Sequence, residues 1–276
     1  MKWIKNVLAL CVTASLAMGL AGCAASAKHA QPGALVIVGG GGTVEPIRVR
    51  ALQLAKGPAT VVVVLPQASS VEKRGEEAAQ MWRDSGAAKS SVVEFGDVAA
   101  ARAAIAAADL VWIGGGDQSQ FMKEAGDAGL LDFLRERHRS GVVFGGTSAG
   151  AAVMSPHMLT GNPEDAPEKL APGSVEIVSG LGLFPGAIVD QHFVVRRRNN
   201  RLLSAVLTHP DHVGFGIDER TALIVTPQRY EVVGEGAVVV FDARAARREP
   251  PESGPVFSAR NVRLDVLRSG DALERR

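Results

Sequence analysis

Ser148 lies at the centre of Gly145-Gly146-Thr147-Ser148-Ala149-Gly150, after the apolar Val142-Val143-Phe144 and before the small-residue stretch Ala151-Ala152-Val153-Met154. A strand, a glycine-framed serine and a helix in that order make the layout of a nucleophile elbow. A serine hydroxyl is a poor nucleophile until a base takes its proton and backbone amides meet the developing oxyanion. The sharp turn exposes Ser148 at a strand end, and the helix start behind it offers free N–H groups. Only small neighbours tolerate such a corner. An ordinary glycine-rich strand-to-helix turn has the same letters, so the assignment depends on partners elsewhere.

A base must come from His29, His138, His157, His192, His209 or His212. His29 precedes the first predicted strand, and His138 sits among charges near a helix end. His157 follows Pro156 close to the elbow. His209 and His212 flank Pro210-Asp211 in a predicted surface turn. His192 differs, because Asp190-Gln191-His192-Phe193 follows an apolar strand directly, and a half-buried imidazole needs a partner for each nitrogen. An acid should orient that ring and stabilise its charged form. Asp218-Glu219 closes the strand 213–217, so Ser148, His192 and Glu219 each end an apolar strand, and parallel strands gather such ends on one edge. The chain order Ser…His…Glu differs from the Ser…acid…His order of α/β-hydrolases. That alternative takes Asp190 with His209 or His212, in poorer contexts.

The chain has 276 residues, 46% hydrophobic and 21% charged, with a formal net charge of +1. One large α/β domain or two small ones fit this length, and binding nucleic acid through bulk charge is excluded. Lys2 and Lys5 head an apolar run, 7–21, too short for a comfortable membrane span. It closes on Leu20-Ala21-Gly22-Cys23, which resembles a bacterial lipoprotein cleavage site with Cys23 acylated. Residues 1–23 are expected to be a signal segment ending at the lipidated cysteine, 24–32 a flexible tether and 33–276 a single domain. Export to the cell envelope follows, periplasmic or at the surface, with the membrane touched only through the lipid. The two cysteines are Cys11 and Cys23, so the expected domain has neither disulfide nor thiol chemistry.

The elements that must position these residues alternate. Buried strands are predicted over 34–38, 60–65, 91–95, 110–113 and 142–144, with helices over 46–55, 71–86, 98–108 and 130–139. This is a doubly wound, mostly parallel α/β sheet. The second half carries a polar loop over 162–172, a short strand at 187–189 and a basic helix over 196–208. Strands follow at hairpin spacing over 213–217, 222–226, 230–233 and 237–241, then a charged excursion over 243–255 and a last strand at 262–267. They predict an antiparallel C-terminal flank. Gly39-Gly40-Gly41-Gly42 lacks the Gly-x-Gly-x-x-Gly spacing and the acidic ribose partner of a dinucleotide site. Gly114-Gly115-Gly116 also follows a strand and is a candidate lining for a site at the sheet's C-terminal edge.

Six ordered motifs carry a resemblance running from about Ala34 to Gly270. They are Gly115-Gly116-Asp117-Gln118, the elbow, Leu181-Gly182-x-x-Pro185-Gly186, Asp190-Gln191-His192-Phe193, Arg196-x-Arg198-x-x-Arg201 and Gly216-Ile217-Asp218-Glu219-x-Thr221-Ala222. Together they resemble the cyanophycinases of the peptidase E-like serine peptidases (family S51). The resemblance implies a class I glutamine amidotransferase-like fold and hydrolysis of cyanophycin, a poly-aspartate whose side-chain carboxylates are linked to arginine, to β-aspartyl-arginine. It implies Ser148 as nucleophile, His192 as general base then acid, and Glu219 as its orienting partner. It also implies Gln118, Asp190, Gln191, Arg196, Arg198 and Arg201 as the substrate pocket, and a homodimer. Arginines bind carboxylates bidentately, and Asp190 is a candidate holder of the substrate's guanidinium. The Ala149 amide with Gly115 or Gly116 is the expected oxyanion hole. No cofactor or metal is expected, because acyl transfer by a serine triad needs none. Departures from the family pattern fall at Thr43-Val44, Ser119-Gln120 and Thr160-Gly161-Asn162. The alternatives are a dipeptidase or isopeptidase for other small aspartyl peptides, and a non-catalytic surface-binding lipoprotein.

Overall fold

A computed structural model describes residues 31–161, 170–250 and 253–275. The expected signal segment, Cys23, most of the tether and residues 162–169 of the polar loop lie outside them. Chain order is β1 (Leu35–Val38), α1 (Glu45–Leu54), β2 (Val61–Leu65), α2 (Arg74–Asp84), β3 (Lys89–Val92), α3 (Val98–Ala107), β4 (Leu110–Ile113) and α4 (Gln118–Asp127). Then come α5 (Leu131–Arg139), β5 (Val143–Thr147), the short α6 (Ala149–Ala152), β6 (His157–Leu159), β7 (Ile177–Ser179), β8 (Ala187–Gln191) and α7 (Asn199–Thr208). The chain continues through β9 (Val213–Ile217), β10 (Thr221–Val225), β11 (Arg229–Gly234), β12 (Ala237–Asp242), β13 (Arg247–Arg248), β14 (Ala259–Arg260), β15 (Arg263–Arg268) and β16 (Ala272–Glu274).

The parallel core runs β1-β5-β4-β2-β3, and β10, β11 and β16 extend it antiparallel beyond β1 into an eight-stranded sheet. Strands β1, β2 and β4 are apolar on both faces because both faces are covered. Val36, Val38, Val62, Val64 and Trp112 pack under Ile47 and Ala51 of α1 and Ala79 and Trp82 of α2. Leu35, Ile37, Val63, Leu65 and Ile113 face the opposite core, with Ile105, Phe121 and Leu134 from α3, α4 and α5.

The second half departs from a simple flank. Strands β15-β12-β9-β8 form a separate four-stranded sheet, with β8 and β9 parallel and β12 antiparallel to β9. Helix α7 covers its outer face through Leu202, Ala205 and Val206. Hairpin spacing alone suggested that neighbours in sequence pair, yet β9 and β10 belong to different sheets. Between them Asp218, Glu219 and Arg220 cross the gap, with Arg220 at φ 55°. The edge that collects Ser148, His192 and Glu219 is therefore a junction of two sheets rather than one rim.

Three helices also differ from expectation. Helix α2 is shorter at both ends than 71–86. Helix α4 follows directly on Gly114-Gly115-Gly116-Asp117, because the Asp117 carboxylate caps it by accepting from the Ser119 and Gln120 amides at 2.7 and 3.3 Å. Helix α7 starts at Asn199, not Arg196, since Arg197 is at φ 53°. Trp82 and Trp112 are both buried and meet edge to face, 5.0 Å between centroids. Trp82→Ala should cost about 3–5 kcal/mol by emptying that site, read as a lower urea midpoint at unchanged slope. A loss below about 1 kcal/mol would show that α2 does not depend on this contact.

Candidate active site

Ser148 is the hinge between β5 and α6, at φ 54° and ψ −111°. Such a conformation costs a non-glycine residue about 1–3 kcal/mol and persists only where the surroundings enforce it. The surroundings here are close backbones. A Cβ on Gly150 would overlap the Ile113 carbonyl, and one on Gly146 would overlap the Gly150 backbone. The Ser148 amide is held by the Val38 carbonyl at 3.0 Å. Gly115 lies against the serine, its would-be Cβ 3.4 Å from Ser148 Cβ. Among the described residues, the amides of Ala149, Gly115 and Gly116 donate to no backbone carbonyl.

His192 follows β8 and is also left-handed, at φ 48°. Its Nε2 is 2.9 Å from Ser148 Oγ and its Nδ1 is 2.6 Å from Glu219 Oε1. Since a carboxylate only accepts, Nδ1 carries the proton and Nε2 accepts from the serine hydroxyl. The Ser148 hydroxyl is also 3.4 Å from Gln191 Oε1. Burial pulls the His192 pKa below the ordinary 6.5, the Glu219 hydrogen bond pushes it up, and the charges of Arg196 and Arg198 push it down; the net direction is down. The imidazole is thus neutral near pH 7 and able to take a proton.

The loop after β1 closes the arrangement. The His192 amide donates to Gly39 O at 2.7 Å and the Arg220 amide to Gly40 O at 2.8 Å. A Cβ on Gly40 would overlap the His192 ring, and one on Gly41 would come within 2.6 Å of Glu219 Cβ. The glycine run with no dinucleotide spacing is therefore what lets imidazole and carboxylate lie against the backbone.

A cleft of about 600 Å³ opens in front of Ser148 and His192. Gln118, Gln191, Arg196, Arg198, Gly115 and Gly116 line it as the sequence suggested. Gln118 is buried and donates to Leu159 O at 2.9 Å, and Arg198 donates to Gln191 O at 2.7 Å. Asp190 and Arg201 do not line it. Asp190 is fully buried, and both of its oxygens are engaged by Arg201, Oδ2 at 3.0 Å from Nε and Oδ1 against Nη2. This pair fastens β8 to α7, so neither group is free for a ligand; that corrects their assignment to the substrate pocket. A buried carboxylate without such a partner would be strongly destabilising. Arg74 and Glu77 of α2 also line the cleft and were missed. The signal for them was positional, since ligands collect at the C-terminal ends of parallel strands and α2 follows β2. Among the described residues the other histidines lie elsewhere: His157 stacks on His209 at 4.0 Å, with His212 at 4.5 Å from His157, and His138 is bound to Gly33 O; His29 lies outside the described residues.

The family model Peptidase family S51 matches residues 35–233. The chain belongs to peptidase family S51. Membership places it among serine-type peptidases by class. It is 38% identical over 172 residues to a cyanophycinase of Geminocystis herdmanii, a match covering 60% of this chain and 62% of that protein. It is 33% identical over 248 residues to a cyanophycinase of Synechococcus elongatus, covering 84% and 76%. The chain thus spans about three fifths of the length of the first curated relatives it matches. A solved peptidase from an acI-B1 actinobacterium shares the fold, with a TM-score of 0.63 at 20% identity, covering 89% of this chain and 98% of that one.

Gly40→Ala should leave a folded protein whose His192 ring is displaced. A fluorophosphonate should then label Ser148 at least about a hundredfold more slowly, the scale of losing base assistance. Undiminished labelling would show that the glycine is not what seats the ring.

Proposed function

We propose that this S51 chain is an exopeptidase that hydrolyses cyanophycin to β-aspartyl-arginine dipeptides through an acyl-enzyme on Ser148. The observation that carries the reading is the continuous Ser148–His192–Glu219 hydrogen-bond chain opening onto a cleft with Arg196 and Arg198 in its wall. The names of the relatives support the substrate.

In this reading Ser148 Oγ attacks the scissile carbonyl while its proton passes to His192 Nε2. Glu219 holds the Nδ1 proton and stabilises the imidazolium. The oxyanion takes the Ala149 amide and one of Gly115 or Gly116. Collapse expels the amine, which leaves with the proton from Nε2. Water then attacks the acyl-enzyme with His192 again as base, and Ser148 is regenerated. Arg196 and Arg198 receive the substrate's free α-carboxylates. The reading includes lipidation at Cys23 and a homodimer, supported by the signal pattern and by the resemblance respectively. The tether would enter at the N-terminal end of β1, opposite the strand end that bears the catalytic serine, so an anchor leaves the cleft unobstructed.

Residues 24–276 incubated with cyanophycin should release β-aspartyl-arginine, identified by mass spectrometry, and Ser148→Ala should lower the rate at least about a thousandfold. Cleavage of α-aspartyl dipeptides with no release from cyanophycin would replace this reading with the dipeptidase one.

The pH dependence has a definite sign. Activity needs neutral His192, whose pKa is lowered, so kcat/KM should rise with pH through a midpoint below 6.5 and level off by about pH 7. Arg196→Gln removes a charge that depresses the ring's pKa and should move that midpoint upward. A wild-type midpoint above 6.5 would show that burial and the two arginines do not outweigh the Glu219 hydrogen bond in setting the ring's pKa.

A further inference from the structure

The charged lining of the cleft is unequal. Among the described residues that form it there are three arginines, Arg74, Arg196 and Arg198, and one carboxylate, that of Glu77. A ligand that is only anionic would leave that carboxylate unmatched. Asp190 is no substitute, since Arg201 engages both its oxygens in the interior. Glu76, the neighbour of Glu77, is paired with Arg83, whereas Glu77 has no ion-pair partner among the described residues. Glu77 is exposed but not loose. It stands in the first turn of α2, its amide bonded to Lys73 O at 2.9 Å, and α2 is seated by Gly75 against Val92 and Pro66. On the same helix Ala78 and Met81 supply apolar wall, suited to the methylene stem of a long cationic side chain.

We propose that Glu77 is a specificity-determining residue that pairs with the guanidinium of an arginyl side chain, while Arg196 and Arg198 take the carboxylates of the same ligand. The inference rests on the reading of the site as one for β-aspartyl-arginyl substrates. It assigns the cationic end of that ligand to a helix the sequence analysis left out of the site. The ligand then spans the cleft, with anionic groups towards the β8–α7 turn and the guanidinium towards α2. A fork of N–H donors on a carboxylate is the strong form of such a pair.

The test separates binding from hydrolysis. In a Ser148→Ala background, calorimetry compares β-aspartyl-arginine with β-aspartyl-citrulline, which has the same length and a neutral urea in place of the guanidinium. With Glu77 present, the arginyl ligand should bind about three- to fivefold tighter, the upper end for an exposed pair with bidentate geometry. Glu77→Gln should bring the preference close to unity, and Glu77→Asp should retain part of it. A preference unchanged by Glu77→Gln, no preference with Glu77 in place, or an equal loss of both ligands overturns the assignment. Hydrolysis of cyanophycin by the protein with Ser148 intact is scored separately. Selective binding without cleavage would reject the proposed activity and keep the Glu77 site; cleavage with a preference indifferent to Glu77→Gln would do the reverse.

Discussion

Three consecutive backbone carbonyls at the end of β1 hold the site together. Val38 O accepts from the Ser148 amide, Gly39 O from the His192 amide and Gly40 O from the Arg220 amide, next to Glu219. Each of these residues comes from a different crossover, and two of the crossovers belong to the smaller sheet. Side-chain hydrogen bonds between long flexible groups would fix such a constellation poorly. Backbone bonds from one rigid strand end fix it well, because the central strand is buried on both faces and paired on both sides. The same segment must then be almost without side chains, since the His192 ring and the Glu219 stem lie where Cβ atoms would be.

That constraint accounts for the strain nearby. Ser148, His192 and Arg220 all have positive φ, each an unfavourable choice of about 1–3 kcal/mol for a residue with a side chain. Each also has its amide bonded to the β1 end. The strained turns are what direct three amides at one short segment while keeping two side chains in contact over it. The cost is offset by the two cores that flank the junction, one on each face of the large sheet, and by a third under α7.

Most of the parallel half of the fold was legible in the sequence because β1, β2 and β4 are continuous apolar runs bounded by glycine or proline, such as Thr60 to Pro66; the edge strand β3 is polar and lies over Lys89–Val92, two residues before the apolar run expected at 91–95. The three residues that meet at the junction were legible because each lies in the short polar or glycine-rich segment that follows such a run. The division into two sheets was not, because a three-residue link such as Asp218-Glu219-Arg220 reads the same whether it closes a hairpin or crosses between layers. The glycine run at 39–42 was legible as a loop but not as a seat, since the groups that require its small size are more than a hundred residues away. Asp190 and Arg201 read as pocket residues because charge in a motif suggests a ligand. Their burial against each other depends on where α7 begins, and the left-handed Arg197 that delays it has no marker in composition.

The delay at Arg197 divides one arginine-rich run into two kinds of work. Arg201, inside α7, is turned into the interior, where its guanidinium meets Asp190 and ties helix to strand. Arg196 and Arg198, in the turn before it, face the cleft and the imidazole. Burial lowers the proton affinity of His192, and their charges lower it further, against the opposing hydrogen bond of Glu219. On the proposed reading, a substrate carboxylate placed between these arginines and the ring opposes that field, because the opposite charge arrives at the same place. His192 then becomes a stronger base when a ligand of the right charge is bound, and the imidazolium it forms is better stabilised. Recognition of the anionic end of the ligand and activation of the serine are in this way consequences of one pair of charges, positioned by the backbone turn that keeps them out of the helix.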